Sequence, residues 1–160
     1  MKTILITILV LGFIFISGCT QINEKQKQTK LLSTATHASV MSISDNWDSD
    51  PEDDGIRIFP SLKDANDETV KFEGVELAVD VEIWTKKYNE DYEEVKDRKV
   101  YSGTGKIYDW KDGSFGSIGR IKVPFEDIKI VSSDDDFGIL WITIHTPDGK
   151  AYTAKEDSGL

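Results

Sequence analysis

The residues best suited to chemistry are the carboxylates of a single loop, which runs from Asp45 to Gly55. Four of them stand at alternate positions before the glycine: Asp48, Asp50, Glu52 and Asp54. Calcium takes about six to eight oxygen ligands, and a loop that offers oxygens at alternate positions before a sharp turn supplies several of them. This spacing predicts a calcium-binding loop, and the alternative is an acidic loop that is simply solvated.

The loop resembles the start of an EF-hand loop only in part. Asp50, Asp54 and Gly55 fit the pattern, but Glu52 replaces one aspartate and Ser61 stands where an EF-hand carries its last glutamate ligand. The residues after Gly55 also alternate as a strand does, whereas an EF-hand continues into a helix. An EF-hand is therefore excluded, and a calcium site between strands remains the metal hypothesis.

Two further loops are acidic and occupy matching places in the strand order. They span residues 89–97 and 132–136, and the second contains three consecutive candidate ligands, Asp134, Asp135 and Asp136. If each strand runs antiparallel to the one before it, the first, third and fifth connections lie at the same end of the fold. Three acidic loops at one end repel one another unless water or a cation separates them.

Two tryptophans are the second candidate for function. Trp84 and Trp141 lie within strand patterns, on the faces opposite the aliphatic ones. Exposed indoles commonly bind sugars or partner proteins because they offer a large apolar area with little side-chain entropy to lose. The sequence therefore predicts a binding surface at these residues, with packing over neighbouring aliphatic stems as the alternative.

No pattern of catalytic residues stands out in the sequence. The two histidines, His37 and His145, are far apart in the chain, and a zinc site needs a cluster of ligands. The chain has no Gly-x-Ser-x-Gly sequence, and Gly103-Thr104-Gly105 lacks the third glycine of a dinucleotide-binding fingerprint. We therefore expect a protein that is not an enzyme and that has no cofactor, calcium being the one ion considered.

The first residues have the features of an export signal. The basic Lys2 precedes an apolar run at residues 4–15, which is shorter than the ~20 apolar residues that a membrane-spanning helix needs. The run is followed by Ile16-Ser17-Gly18-Cys19, and Cys19 is the only cysteine of the chain.

This four-residue sequence resembles the lipobox of prokaryotic membrane lipoproteins, and the resemblance covers only the leader. It implies cleavage before Cys19, which would become the mature N-terminus and carry a thioether-linked diacylglycerol. Two acyl chains hold a protein at a membrane far longer than one, because each buried CH₂ adds roughly 0.8 kcal/mol. The resemblance implies a lipid anchor on the extracytoplasmic face of the cell membrane. An ordinary secretory signal with a chance cysteine is the alternative.

The charge balance limits the partners of the chain. It carries 29 acidic and 19 basic residues, for a formal net charge of -10. A body of this charge is repelled by nucleic acid and by anionic lipid. The expected partners are therefore the membrane, reached through the lipid on Cys19, and an envelope protein or glycan, but no nucleic acid.

From residue 38 onward apolar residues alternate with polar ones, which is the pattern of half-buried strands. Turn residues divide the pattern into seven strands, near 39–44, 55–62, 75–86, 98–109, 118–125, 138–146 and 150–155. Strands with one aliphatic face each need a second sheet to cover the first. We therefore predict an all-β fold, an antiparallel β-sandwich of immunoglobulin-like architecture, with a partly open barrel as the alternative.

These observations divide the chain into a cleaved leader, a lipidated flexible tether, a β-sandwich domain and a disordered tail, at residues 1–18, 19–37, 38–155 and 156–160. The function expected is that of a lipid-anchored cell-surface protein with a binding or adhesion module. The alternative is an accessory solute-binding subunit of an envelope transporter, although such receptors usually need a deep cleft.

Overall fold

The computed structural model describes residues 27–108, 121–135 and 137–159, and most of them belong to seven β-strands. The strands are β1 His37–Asp45, β2 Gly55–Lys63, β3 Leu77–Tyr88, β4 Glu94–Ile107, β5 Ile121–Pro124, β6 Phe137–His145 and β7 Ala151–Gly159. They form a three-stranded sheet in the order β1-β2-β5 and a four-stranded sheet in the order β4-β3-β6-β7. Every pairing is antiparallel. The predicted all-β sandwich of about seven strands is confirmed.

Alternation along the strands builds the core between the two sheets. In β3, Leu77, Val79 and Val81 are almost fully buried, whereas Ala78 and Asp80 between them are exposed. The facing sheet supplies its own buried aliphatic side chains, and β6 completes the layer: Ile56, Ile58, Leu62, Val123, Leu140, Ile142 and Ile144. Burial of such side chains stabilises the fold by roughly 1.5 to 3 kcal/mol each, so the pattern explains why the strands form.

The fourth strand is continuous through its two glycines. A Cβ on Gly105 would lie 2.6 Å from side-chain atoms of Ile121 in the facing sheet, so the glycine lets β4 approach β5 closely. The register between β3 and β4 slips twice between Ile83 and Lys86, as in a β-bulge. This irregularity decides which lysines reach the outer face of the sheet.

The two sheets meet where β1 lies beside β7. The Ser42 hydroxyl donates to the Ser158 hydroxyl over 3.2 Å, and the Tyr152 hydroxyl donates to the Ala35 carbonyl over 2.9 Å. The order of these contacts shows that β1 and β7 run in the same direction. The relative orientation of all seven strands follows from it.

The first, third and fifth connections lie at one end of the sandwich, as their order predicts. We call this the distal end; its described residues are 46–54, 89–93 and 125–135. The chain enters β1 at His37, at the opposite end. The first and fifth connections touch, since the Phe125 N–H donates to the Asp54 carbonyl over 3.0 Å.

Two expected boundaries are wrong. Residues 27–32 are helical, and Leu32 and Ala35 are only 1% and 6% exposed, so the domain begins well before residue 38. The expected disordered tail at 156–160 is instead part of β7, at least as far as Gly159. Both segments fold because they cover the rim of the core: Leu32 fills one end, and Ser158 pairs with β1.

The leader 1–18, Cys19 and Asp136 lie outside the described residues. Within the described parts of the chain, no helix is long and apolar enough to cross a membrane.

Candidate binding face

The first acidic loop uses its carboxylates to hold its own backbone. Asp48 accepts the N–H of Asp50 over 2.8 Å, and Asp50 accepts that of Glu52 over 3.0 Å. Asp54 accepts the N–H of Trp47. These are local turns of the kind that aspartate commonly forms with backbone two residues further on.

In the fifth connection, between β5 and β6, an acidic side chain pairs with an arginine of β4. The Arg98 guanidinium pairs with Asp134, whose carboxylate also accepts the Val131 N–H over 2.8 Å. Arg98 further donates to the Lys129 carbonyl over 2.7 Å. Asp135 is exposed. Arg98 thus supplies, next to Asp134, the positive charge that we expected from a calcium ion.

Within the part of the chain that the structure describes, no three histidine, cysteine, aspartate or glutamate side chains come close enough to hold a metal ion. The loops that contain Asp48, Asp50, Glu52 and Asp54 and that contain Asp134 and Asp135 share one end, but their carboxylates point to separate partners. This geometry favours the alternative of a solvated acidic rim. The calcium site stays a prediction.

Aromatic side chains follow the outer face of the four-stranded sheet, the face that points away from the core. Because side chains alternate, β6 presents Phe137, Ile139 and Trp141 there, and β3 presents Trp84 and Tyr88. Phe137 and Tyr88 are 60% and 65% exposed. The register places Trp84 opposite Ile139, so the aromatic residues form one strip across two adjacent strands.

The two predicted tryptophans are brought together with lysines from β4. The ammonium of Lys96 lies 3.6 Å from the centre of the Trp141 ring and 4.7 Å from that of Trp84. The ammonium of Lys99 lies 4.9 Å from the Trp84 ring. Each indole is half-buried, so lysines cover part of both rings. We call Trp84, Trp141, Lys96, Lys99 and Glu82 the Trp–Lys cluster.

Glu82 is the one carboxylate within this cluster. It pairs with Lys99 and lies 3.8 Å from Lys96, and it accepts the Trp84 indole N–H over 3.0 Å. The hydrogen bond from Lys99 keeps the pKa of Glu82 below its ordinary value. Burial lowers the pKa of Lys96, and the neighbouring charges of Lys99 and Lys155 add to that effect. Lys96 is therefore a partly buried lysine whose carboxylate partner, Glu82, is shared with Lys99.

Next to the cluster, Lys86 bridges the carboxylates of Glu94 and Asp157, and we call these three residues the Lys86 bridge. The Lys86 ammonium lies 2.8 Å from Asp157 and 3.1 Å from Glu94, and its side chain is only 10% exposed. Burial alone would lower the pKa of Lys86, but the two carboxylates raise it above its ordinary value. A shallow depression of about 260 Å³ lies here, lined in part by Ile139. It is smaller than the clefts of roughly 300 to 1,000 Å³ that hold small molecules.

The histidines lie away from this cluster. His145 contacts Asp80 over 2.7 Å on the same sheet, near the start of β3. His37 contacts Asp67 over 3.1 Å at the end of the sandwich where the chain enters β1. Each imidazole thus has a carboxylate partner at the surface, and the two pairs belong to different sheets.

Sequence reasoning found both tryptophans and missed the lysines. Alternation assigns Lys96 and Lys99 to opposite faces of β4, because their positions differ by three, an odd number. The register slips bring both lysines to the outer face, with Lys99 opposite Trp84 and Lys96 opposite Lys86. No sequence pattern marks the bulge, so only the register reveals the cluster.

Comparison with known proteins adds no family: no protein-family model, no curated protein and no solved structure matches this chain.

Proposed function

We propose that this chain is a lipid-anchored protein of the cell envelope that binds a partner through the outer face of its four-stranded sheet. The anchor is the diacylglycerol that the lipobox-like sequence implies for Cys19. The binding surface is the aromatic strip together with the Trp–Lys cluster.

The aromatic strip carries the binding part of the proposal. Large apolar side chains on a sheet face normally pack against another layer, but Phe137 and Tyr88 are largely exposed on this face. Exposed aromatic residues rimmed by charged ones are typical of interaction surfaces. Here the rim consists of the Lys86 bridge and the lysines of the cluster.

The position of the chain entry supports presentation of this face outside the membrane. Seven residues, 20–26, separate Cys19 from the first described residue. A chain of this length spans at most roughly 25 Å. The end of the sandwich that contains His37 would therefore face the lipid. The outer face of the four-stranded sheet would then be turned toward the envelope and away from the lipid.

Cell fractionation tests the anchor. The natural chain should sediment with membranes, and Cys19→Ser should appear in the soluble or exported fraction. Ser49→Ala is the control, because Ser49 is exposed in the first acidic loop and lies outside the lipobox-like sequence. Retention of Cys19→Ser in the membrane fraction would contradict lipid anchoring at this residue.

Binding of a soluble chain without the leader and Cys19, residues 20–160, to isolated envelopes tests the face. We expect binding that Phe137→Ser and Trp84→Ala weaken at least tenfold, as residues that dominate an interface do. Tyr92→Ser is the control, because Tyr92 is 87% exposed but lies in the turn between β3 and β4. Equal binding of all variants would refute the assignment of the face.

The alternative, an accessory solute-binding subunit, finds less support. Such a subunit encloses its ligand, whereas two depressions among the described residues are shallow, with volumes of about 250 and 260 Å³. A flat face suits an extended partner better.

A further inference from the structure

We propose that the Trp–Lys cluster binds an acidic glycan, whose carboxylate groups pair with its lysines while sugar rings contact the exposed parts of the aromatic strip. The inference rests on the proposed function, because it names the class of ligand for the same face. It needs no metal and no second protein.

The first argument is the local charge. Lys96 and Lys99 share the single carboxylate of Glu82, and Lys155 stands opposite Trp141 on β7. The other nearby carboxylates of this face, Glu94 and Asp157, both pair with Lys86. With Lys155 the cluster holds three cations and one carboxylate, and the adjoining Lys86 bridge adds one cation and two carboxylates. These four lysines and three carboxylates leave a local surplus of one positive charge, in a chain whose net charge is -10.

The second argument is that the cations are held in place before any ligand arrives. Lys96 lies over both indole rings, and a lysine at this distance from an aromatic face is attracted to it. Glu82 fixes Lys99 and the Trp84 indole N–H together. A positioned ammonium loses little side-chain entropy on binding an anion, which favours affinity.

The third argument is the shape of the face, which distinguishes a glycan from an acidic peptide. Peptides commonly add a strand to an open sheet edge. The β4 edge is occupied in part, because the Val100 carbonyl accepts the Lys129 N–H, and β7 lies beside β1. Peptide anchors also need pockets, whereas this face offers a shallow depression. Flat sugar rings suit such a surface.

The overall negative charge does not prevent this binding. At physiological ionic strength charges are screened beyond roughly 8 Å, so a short acidic segment senses mainly the charges of the cluster and of the Lys86 bridge, and not those of the acidic distal end. A long polyanion would also meet the acidic rim. We therefore expect short acidic oligosaccharides to bind better per sugar than long ones.

Titration calorimetry on the soluble chain 20–160, which lacks the leader and Cys19, tests the proposal. The probes are a short oligogalacturonate, a neutral galacto-oligosaccharide of the same length, and an oligoglutamate peptide. We expect the oligogalacturonate to bind at least tenfold more tightly than either of the others. Equal affinity for the neutral sugar, tighter binding of the peptide, or binding of none of the three would overturn the proposal.

Charge variants identify the site. Lys96→Gln and the more exposed Lys155→Gln should each weaken binding roughly two- to fivefold, the value of one exposed ion pair. Glu82→Gln removes the competing anion and keeps a side-chain oxygen that can accept hydrogen bonds from Lys99 and Trp84, so we expect it to strengthen binding. Lys106→Gln is the matched control: it removes a positive charge from the same strand, but Lys106 pairs with Glu76 outside the cluster. Melting temperatures confirm that each variant folds.

The variants and the envelope experiment together separate the two proposals. If Trp84→Ala abolishes envelope binding but the oligogalacturonate does not bind, the ligand class is wrong and the binding face stands. If envelope binding ignores Trp84 and Phe137, the binding face itself is wrong. A loss of affinity in Lys106→Gln equal to that in Lys96→Gln would show a general charge effect and overturn the glycan site.

Discussion

At the scale of the residue, the outer face of the four-stranded sheet depends on lysines that serve two purposes. The Lys96 side chain lies against two indole rings and partly covers them. The side chain as a whole is 28% exposed. Long basic side chains often cover apolar surface in this way. The lysine therefore shields part of each indole ring from water and leaves another part of the ring exposed.

Gly105 gives the first test of the packing. Gly105→Ala places a Cβ 2.6 Å from the Cδ1 and Cγ1 atoms of Ile121, and Ile121 is a core residue only 7% exposed. Overpacking of this kind costs about 1 to 3 kcal/mol of unfolding free energy, measured by urea denaturation. Ser102→Ala, on the exposed side of the same strand, should change stability by less than about 0.5 kcal/mol. Equal effects of the two variants would contradict the close approach of β4 and β5.

Glu156 gives a test of pH dependence. Burial raises the pKa of this carboxyl above its ordinary value of 4.5, against the opposing hydrogen bonds from Ser42. A raised pKa favours the folded state while the group is protonated, so this contribution is complete below pH 4.5 and is lost as the pH rises through the folded-state pKa. Glu156→Gln should therefore raise the melting temperature at pH 7 and lose that advantage below pH 4.5.

The control for this experiment is Glu90→Gln, in the turn between β3 and β4, where the side chain is exposed. It should leave the pH profile of the melting temperature unchanged. A Glu156→Gln variant that is less stable than the natural chain at pH 7 would show that the charged carboxylate stabilises the seam between β1 and β7.

At the scale of the element, strands were predictable because their burial alternates. Val79, Val81 and Ile83 mark β3 in the sequence as clearly as in the structure, and β6 repeats the rule. Alternation is a local property, so one sequence suffices to recognise it. The order of connections also sufficed to place three loops at one end, since antiparallel neighbours reverse direction at each turn.

Elements without alternation were not predictable. The segment before β1 has a polar composition, and the buried apolar side chains of Leu32 and Ala35 join it to the core. The strand after Lys155 reads as Glu-Asp-Ser-Gly and is held by backbone pairing with β6 rather than by apolar side chains. The cluster of lysines depends on a bulge, which is a property of two strands together.

Leu32 tests whether the segment before β1 belongs to the domain. Leu32→Ala should lower the free energy of unfolding by about 2 to 5 kcal/mol, because the side chain is 1% exposed and leaves a cavity. The neighbouring Leu31 is 39% exposed, so Leu31→Ala is a matched control with a small expected effect. Urea denaturation of both variants decides: comparable small losses would mean that the segment is a tether after all.

At the scale of the whole molecule, the acidic distal end and the aromatic sheet face are separate surfaces. At the distal end, Asp48, Asp50 and Asp54 accept backbone N–H groups, and Asp134 pairs with Arg98. The sheet face brings Lys96 and Lys99 together in a chain of net negative charge. The proposed binding face is therefore distinct from the acidic distal end.

Calcium tests the description of the distal end. We expect millimolar calcium to leave the melting temperature of the chain 20–160 unchanged, because four of the candidate ligands, Asp48, Asp50, Asp54 and Asp134, already have partners within the protein. Magnesium at the same concentration controls for ionic strength. A rise with calcium alone that a chelator reverses would restore the calcium site predicted from the loop carboxylates.

We propose that a lipid at Cys19 holds this β-sandwich at the outer side of the membrane. Mass spectrometry of the N-terminal peptide of the protein purified from its native membranes tests this most directly. We expect a peptide that begins at Cys19 and carries a diacylglycerol. A peptide that begins elsewhere, or a free thiol at Cys19, would contradict it.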